Sequence, residues 1–260
     1  MTCREVDEVL VTAATGTLPA QAREHLASCE NCRKLASAIT TGGSGYTLPP
    51  QLLEQVRRSI PASVGPVRPL ATTGLFMALF LIIFAAIGIG GAGRLGIYGW
   101  PVLNPGARFL IFTVLLALSV LTAFATARQM RPGARTIRGG ILFAVSFLAM
   151  EMVFLLVFHD YSVRRFVRAG MGCLSSGLLC AVPAGVLVWL LVRRGYILAP
   201  VSAGSAIGAV AGLTGLFALE LHCPIMTIPH VAIWHVAVLV ISVALGAVGG
   251  WIGSRTRSHP

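Results

Sequence analysis

Three cysteines and one histidine near the N-terminus have the types and the spacing to hold a metal ion. His25-x3-Cys29-x2-Cys32 falls in a stretch predicted to be helical, where positions i, i+4 and i+7 project from one face, and Cys3 on a preceding helix supplies a fourth ligand. Three thiolates and one imidazole make a tetrahedral set suited to zinc. A unit of about 40 residues is too small to be stable on an apolar core alone, so the expected Zn2+, one per chain, is structural. A lone C-x2-C also marks thioredoxin-like redox sites, but that chemistry needs a βαβ setting, and none is legible around Cys29-Glu30-Asn31-Cys32.

A second set of chemically capable residues lies in apolar surroundings. Cys173 falls one turn into one apolar segment and Cys223 just beyond the end of the next, with His222 beside it. Two such thiols can pair, or can share a soft metal ion with His222 assisting. The other reading makes each a small buried apolar residue, and that is the reading for Cys180 in mid-segment. Glu151 lies deep in a third segment, where a charged carboxylate costs about 2.5–3.5 kcal/mol on insertion scales. It requires a partner or a proton, and His235, at similar depth in another segment, is the expected partner. Glu220, His222 and His230 fall near segment ends and are expected to be solvated.

The elements that must position these residues follow from composition. The chain has 260 residues, 56% hydrophobic and only 11% charged, with a mean hydropathy of +0.83, which excludes an ordinary soluble domain. About 20 apolar residues cross a bilayer as a helix. Six such runs lie near residues 70–92, 109–127, 139–158, 169–192, 196–221 and 229–253. The expected fold is all-α: a zinc-bound helical head at 1–40, a linker at 41–69, a six-helix transmembrane bundle at 70–253 and a short tail at 254–260.

The net charge of +11 sits mostly in the apolar part, where residues 70–260 hold thirteen basic against three acidic side chains. Arginines between apolar runs read as topology-setting charges rather than as a nucleic-acid surface. With the N-terminus inside, eleven arginines flank the inner side and five the outer. No secretory signal opens the chain, so both termini are expected in the cytoplasm of a bacterium, with the spans in its inner membrane.

Within the linker, Leu52, Leu53, Val56 and Ile60 share one face of a short amphipathic helix. That face either docks on a protein partner or lies on the membrane beside Arg57 and Arg58. Gly204, Gly208 and Gly212, and Gly246, Gly249, Gly250 and Gly253, mark close helix contacts, because lipid offers no hydrophobic drive for association.

The head resembles the zinc-binding anti-sigma domain, on Cys3, then Leu10, Gly16 and Leu18 near the inter-helix turn, then His25 to Cys32. That resemblance implies binding of an extracytoplasmic-function sigma factor, although most such proteins carry one membrane helix rather than six. The body resembles the six-helix negative regulators of sigma factor F. The matching pieces are Pro66-Val67-Arg68-Pro69-Leu70, Gly172-Cys173-Leu174, Arg193-Arg194-Gly195 and Leu221-His222-Cys223-Pro224. Those proteins generally lack a zinc-binding head, so the chain reads as a composite.

The expected function is therefore a membrane-bound anti-sigma factor, not an enzyme, that contacts lipid and a sigma factor but no nucleic acid, and releases its partner on an extracytoplasmic redox or metal signal. The alternative is a small-solute or metal transporter with Glu151 and His235 in its path. Catalytic signatures are missing: no H-E-x-x-H occurs, and Gly42-Gly43-Ser44-Gly45-Tyr46 fails G-x-S-x-G at its last position.

Overall fold

The computed structural model describes residues 2–12, 18–42, 71–131, 133, 137–163, 166–195 and 197–256, and among these every regular element is helical. The linker face of Leu52, Leu53, Val56 and Ile60 lies outside the described residues. The chain divides into two compact units, Met1–Pro69 and Leu70–Pro260.

In the first unit, α1 (Cys3–Thr12), α2 (Ala20–Ser28) and α3 (Glu30–Gly42) replace the two helices read from the sequence. Pro19 precedes α2, where its fixed φ favours a helix start. Cys29 is extended, at φ −108° and ψ 111°, and its N–H donates to the His25 carbonyl as α2 ends. Its own carbonyl accepts from Arg33 N–H at 3.0 Å and so opens α3. The apolar cluster is Val6, Leu10 and Cys32, flanked by Leu18, Leu26, Cys29 and Ala36. By themselves, the three described helices bury too little apolar surface to offset their ordering entropy. The exposed Glu30–Lys34 pair at 2.9 Å adds a few tenths of a kcal/mol at most.

Among its described residues, the second unit holds six helices long and apolar enough to cross a membrane. They are α4 (Thr73–Leu95), α5 (Pro105–Gln129), α6 (Gly139–Val157), α7 (Phe166–Val192), α8 (Pro200–His222) and a sixth, α9. The last comprises Ile228–His230, a π-helical turn at Val231–His235 and a regular stretch at Val236–Thr256. Side-chain caps start two of them: Thr72 Oγ1 accepts from Leu75 N–H at 3.3 Å, and Asn104 Oδ1 accepts from Ala107 N–H at 2.8 Å. Pro183 lies inside α7, where it withholds one ladder hydrogen bond.

The α8 helix is the axis of this unit. Its apolar window is 83% buried, against 28–44% for the other five, and it packs against all of them. Small residues make that possible. Gly204 faces the Gly246 backbone, Gly208 faces Ser242 and Val243, and Gly212 faces the Leu239 Cα. A side chain at any of these positions would collide with backbone atoms of α9, so the two helices approach as closely as their main chains allow. Of the four glycines near the end of α9, Gly246 and Gly250 make such contacts, whereas Gly249 meets nothing within 4 Å among the described residues.

Candidate functional site

In the first unit, the break at Cys29 does what a continuous helix face was expected to do. By ending α2 and restarting at α3, the chain turns Cys29 and Cys32 back toward His25 and toward Cys3 on α1. The four ligand atoms lie within 4.8 Å of one another. Cys3 Sγ is 3.5 Å from His25 Nε2 and 3.9 Å from Cys29 Sγ. Zn–S bonds of about 2.3 Å and Zn–N bonds of about 2.05 Å set tetrahedral edges of about 3.8 Å between sulfurs and about 3.5 Å between sulfur and nitrogen. The donor set therefore fits zinc in type, number and spacing.

The two thiols of the C-x2-C pair differ in acidity. Hydrogen bonds from the backbone N–H and the side chain of Cys32 hold the Cys29 thiol below its ordinary value. Burial pushes the Cys32 thiol up to about 12.

In the second unit, the start of α7 meets the end of α8 and the start of α9. Cys173 Sγ and Cys223 Sγ lie 3.2 Å apart, both buried. His230 Nε2 lies 3.3 Å from Cys173 Sγ and 3.4 Å from Cys223 Sγ. Beside it, the His235 ring sits edge-on at 5.2 Å between centroids. His235 Nδ1 is 2.7 Å from Glu220 Oε1, and both side chains are fully buried.

Two expected pairings are corrected here. His235 pairs with Glu220 of α8 and not with Glu151, because His235, Leu239, Ser242 and Gly246 form one stripe of α9 that faces α8. Glu151 is a half-buried residue of α6. His222 does not join the thiols either. It lies two residues beyond Glu220, about 200° around an α-helix, and its Nδ1–H donates to the Gly96 carbonyl at 2.8 Å while its ring rests against Tyr98. His230 takes the place beside the sulfurs, and Glu220 and His230, expected at solvated ends, are buried. The sequence carried one signal for His230, the ligand-like spacing Cys223-x6-His230. The pairing of His230 with His235 had none, since five residues apart on an α-helix are about 140° apart.

Loops close over this centre. The N–H groups of Gly99 and Trp100 donate to the Leu221 carbonyl at 2.9 and 3.3 Å, and Ile228 N–H donates to the Asp160 carbonyl at 2.8 Å. Gly99 has no room for a side chain: a Cβ there would lie 2.6 Å from the Cys223 carbonyl oxygen and 2.7 Å from that of Glu220. Cys180, in contrast, only packs, filling the space opposite Gly91 of α4.

Residues 62–255 match the family described as negative regulator of sigma F. One curated relative, the anti-sigma-F factor NrsF of Caulobacter vibrioides (strain NA1000 / CB15N), is 30% identical over an alignment of 193 residues; the alignment covers 64% of this chain and 83% of that protein. No solved structure matches the chain. The match takes in all six long helices and the Cys173–Cys223 centre but not the Cys3–Cys32 cluster, and on its extent the chain belongs to the negative regulator of sigma F family, a regulatory rather than an enzymatic one.

Proposed function

We propose that the chain is a membrane-held anti-sigma factor. In this reading the unit at its N-terminus sequesters an extracytoplasmic-function sigma factor and the extracytoplasmic end of the bundle receives the releasing signal. The observation that carries it is the family match across the whole six-helix body. Eleven inner against five outer flanking arginines support cytoplasmic termini and an inner-membrane location. That orientation puts Cys173 and Cys223 at the extracytoplasmic end, in an oxidising compartment, as a sensing pair open to redox or metal chemistry.

Zinc held by Cys3, His25, Cys29 and Cys32 would cross-link α1, α2 and α3. The three helices would then present a fixed surface to the sigma factor, with the Leu52, Leu53, Val56 and Ile60 face as a second contact. Release is read as a shift of α8 against α9, since the sensing pair, Glu220 and His235 tie the ends of α7, α8 and α9 together. Backbone-to-backbone contact at Gly204, Gly208 and Gly212 would carry that shift along the bundle. His235 is engaged by Glu220 rather than by Glu151, which disfavours the polar path that a transporter was expected to build from Glu151 and His235.

The test is affinity isolation of the full-length protein from its own bacterium, followed by identification of what it retains. Recovery of an extracytoplasmic-function sigma factor, lost on changing Cys29 and Cys32 to serine, is the expected result. Retention of no sigma factor by folded protein would overturn the reading.

A further inference from the structure

The second unit holds a centre whose donors are more complete than a pair of thiols. Cys173, Cys223, His230 and His235 each offer one ligand atom, and all four atoms lie within 4.8 Å of one another. His235 Nε2 is buried and has no hydrogen-bond partner among the described residues, although its Nδ1 is engaged by Glu220. A fully buried imidazole with one nitrogen satisfied and the other bare is costly unless the bare nitrogen meets something. With a carboxylate at Nδ1, the proton resides there, and the lone pair on Nε2 is left for a ligand.

We propose that His230 and His235 complete, with Cys173 and Cys223, a four-coordinate site for one thiophilic metal ion, and that Glu220 is the positioning residue that orients His235 for it. The donor set selects the class of ion. Two thiolates and two imidazoles suit zinc, cadmium or copper(I), and offer nothing to magnesium or calcium, which take oxygen. The distances are close to those required. The two sulfur–nitrogen separations of 3.3 and 3.4 Å approach the tetrahedral edge of about 3.5 Å. The sulfurs, 3.2 Å apart, must part by about 0.6 Å to reach their edge of about 3.8 Å. Binding displaces the two thiol protons to solvent and spreads Cys173 on α7 from Cys223 at the end of α8. This centre shares no residue with the Cys3–His25–Cys29–Cys32 cluster, so the chain would carry two metal sites of different composition.

That the centre receives the signal rests on the anti-sigma reading; that it binds metal does not. The test uses the full-length protein in detergent micelles with cobalt(II) alone as the probe and excess reductant present. Two cobalt ions per chain are expected in the parent. One is expected in Cys173→Ser/Cys223→Ser, and one in Cys29→Ser/Cys32→Ser, the latter with the weaker sulfur-to-metal charge-transfer band of two thiolates rather than three. In that second background, Glu220→Ala should weaken cobalt binding about 10- to 100-fold. Its tetrahedral ligand-field spectrum should be unchanged at saturation, whereas His235→Ala should change the spectrum itself. A Glu220→Ala protein that binds as tightly as its parent overturns the positioning role. Glu220→Ala and His235→Ala are also made in the otherwise unchanged chain, where retention of the head-site cobalt shows that any loss of metal is local to the second centre. One ion per chain in the parent, unaffected by Cys173→Ser/Cys223→Ser, overturns the site, as does a Cys173–Cys223 disulfide that survives reductant and excludes cobalt. Two ions per chain with sigma-factor retention indifferent to the second would keep the site and overturn only its part in release.

Discussion

Adding one methyl group at Gly208 asks whether main-chain contact between α8 and α9 holds the membrane unit together. A Cβ there meets the Ser242 carbonyl oxygen and comes within 2.7 Å of the Val243 Cα. Both are backbone atoms of the neighbouring helix and cannot swing aside. Ordinary carbon–carbon contact lies at about 3.5–4.0 Å, so the two axes must separate by about 1 Å. A gap of that size forfeits about a quarter to a half of the dispersion energy at each affected contact, and overpacking of a close-packed interior costs about 1–3 kcal/mol. Gly212→Ala meets the Leu239 Cα at 2.7 Å and should cost a similar amount. Gly249→Ala is the internal control: it lies on α9 beyond the same contact, has nothing within 4 Å among the described residues, and should stay within about 0.5 kcal/mol of the parent. Reversible unfolding in micelles, followed by tryptophan fluorescence, should show Gly208→Ala shifted toward the unfolded state by roughly 5- to 150-fold, with Gly249→Ala unshifted. Equal stability of Gly208→Ala and Gly249→Ala would refute the argument, because steric clash is all that separates them.

Four further outcomes are expected. Full-length protein purified under reducing conditions should hold zinc through Cys3, His25, Cys29 and Cys32, and metal analysis of a Cys3→Ser variant should show that zinc lost or sharply weakened. In metal-free protein, alkylation should reach Cys29 before Cys32, because the Cys29 thiol deprotonates below its ordinary pH and Cys32 stays protonated up to about 12; mass analysis showing the opposite order contradicts the assignment. Gly99→Val should push the α4–α5 loop off the Leu221 carbonyl, costing two hydrogen bonds of about 1 kcal/mol each and raising the alkylation rate of Cys223 by about tenfold or more; an unchanged rate means the loop does not guard the thiols. Changing Leu53 and Val56 to aspartate should weaken sigma-factor retention in a pull-down from solubilised membranes, and undiminished retention removes that face from the interface.

The six membrane helices were legible because long uncharged runs leave a chain few alternatives, and their observed bounds fall within a few residues of those runs. The glycines of α8 were legible for the same reason, small residues in lipid being worth most against another backbone. What the sequence hid was rotation about a helix axis. Cys29 could be placed near His25 by spacing, yet the break that turns it is a matter of one extended residue. Glu220 read as an interfacial carboxylate because it ends an apolar run. Its burial comes from α8 being enclosed by five neighbours, a tertiary fact without a local signature. Depth alone pairs His235 with Glu151, and depth does not say which way a side chain faces.

The π-helical turn at Val231–His235 reconciles two helical phases that a plain α-helix could not. From His235 onward the α8-facing stripe repeats at Leu239, Ser242 and Gly246. Counted backward at the α-helical period, that stripe would reach Val231 and leave His230 pointing well away. The wider turn, which closes its hydrogen bonds five residues apart, absorbs one residue and swings His230 onto the stripe, where its ring meets that of His235. From His235 onward the helix is thus phased to glycines, and its first turn to thiols. A length change of one residue between the two histidines would have to sacrifice one of those alignments or remove the π turn altogether.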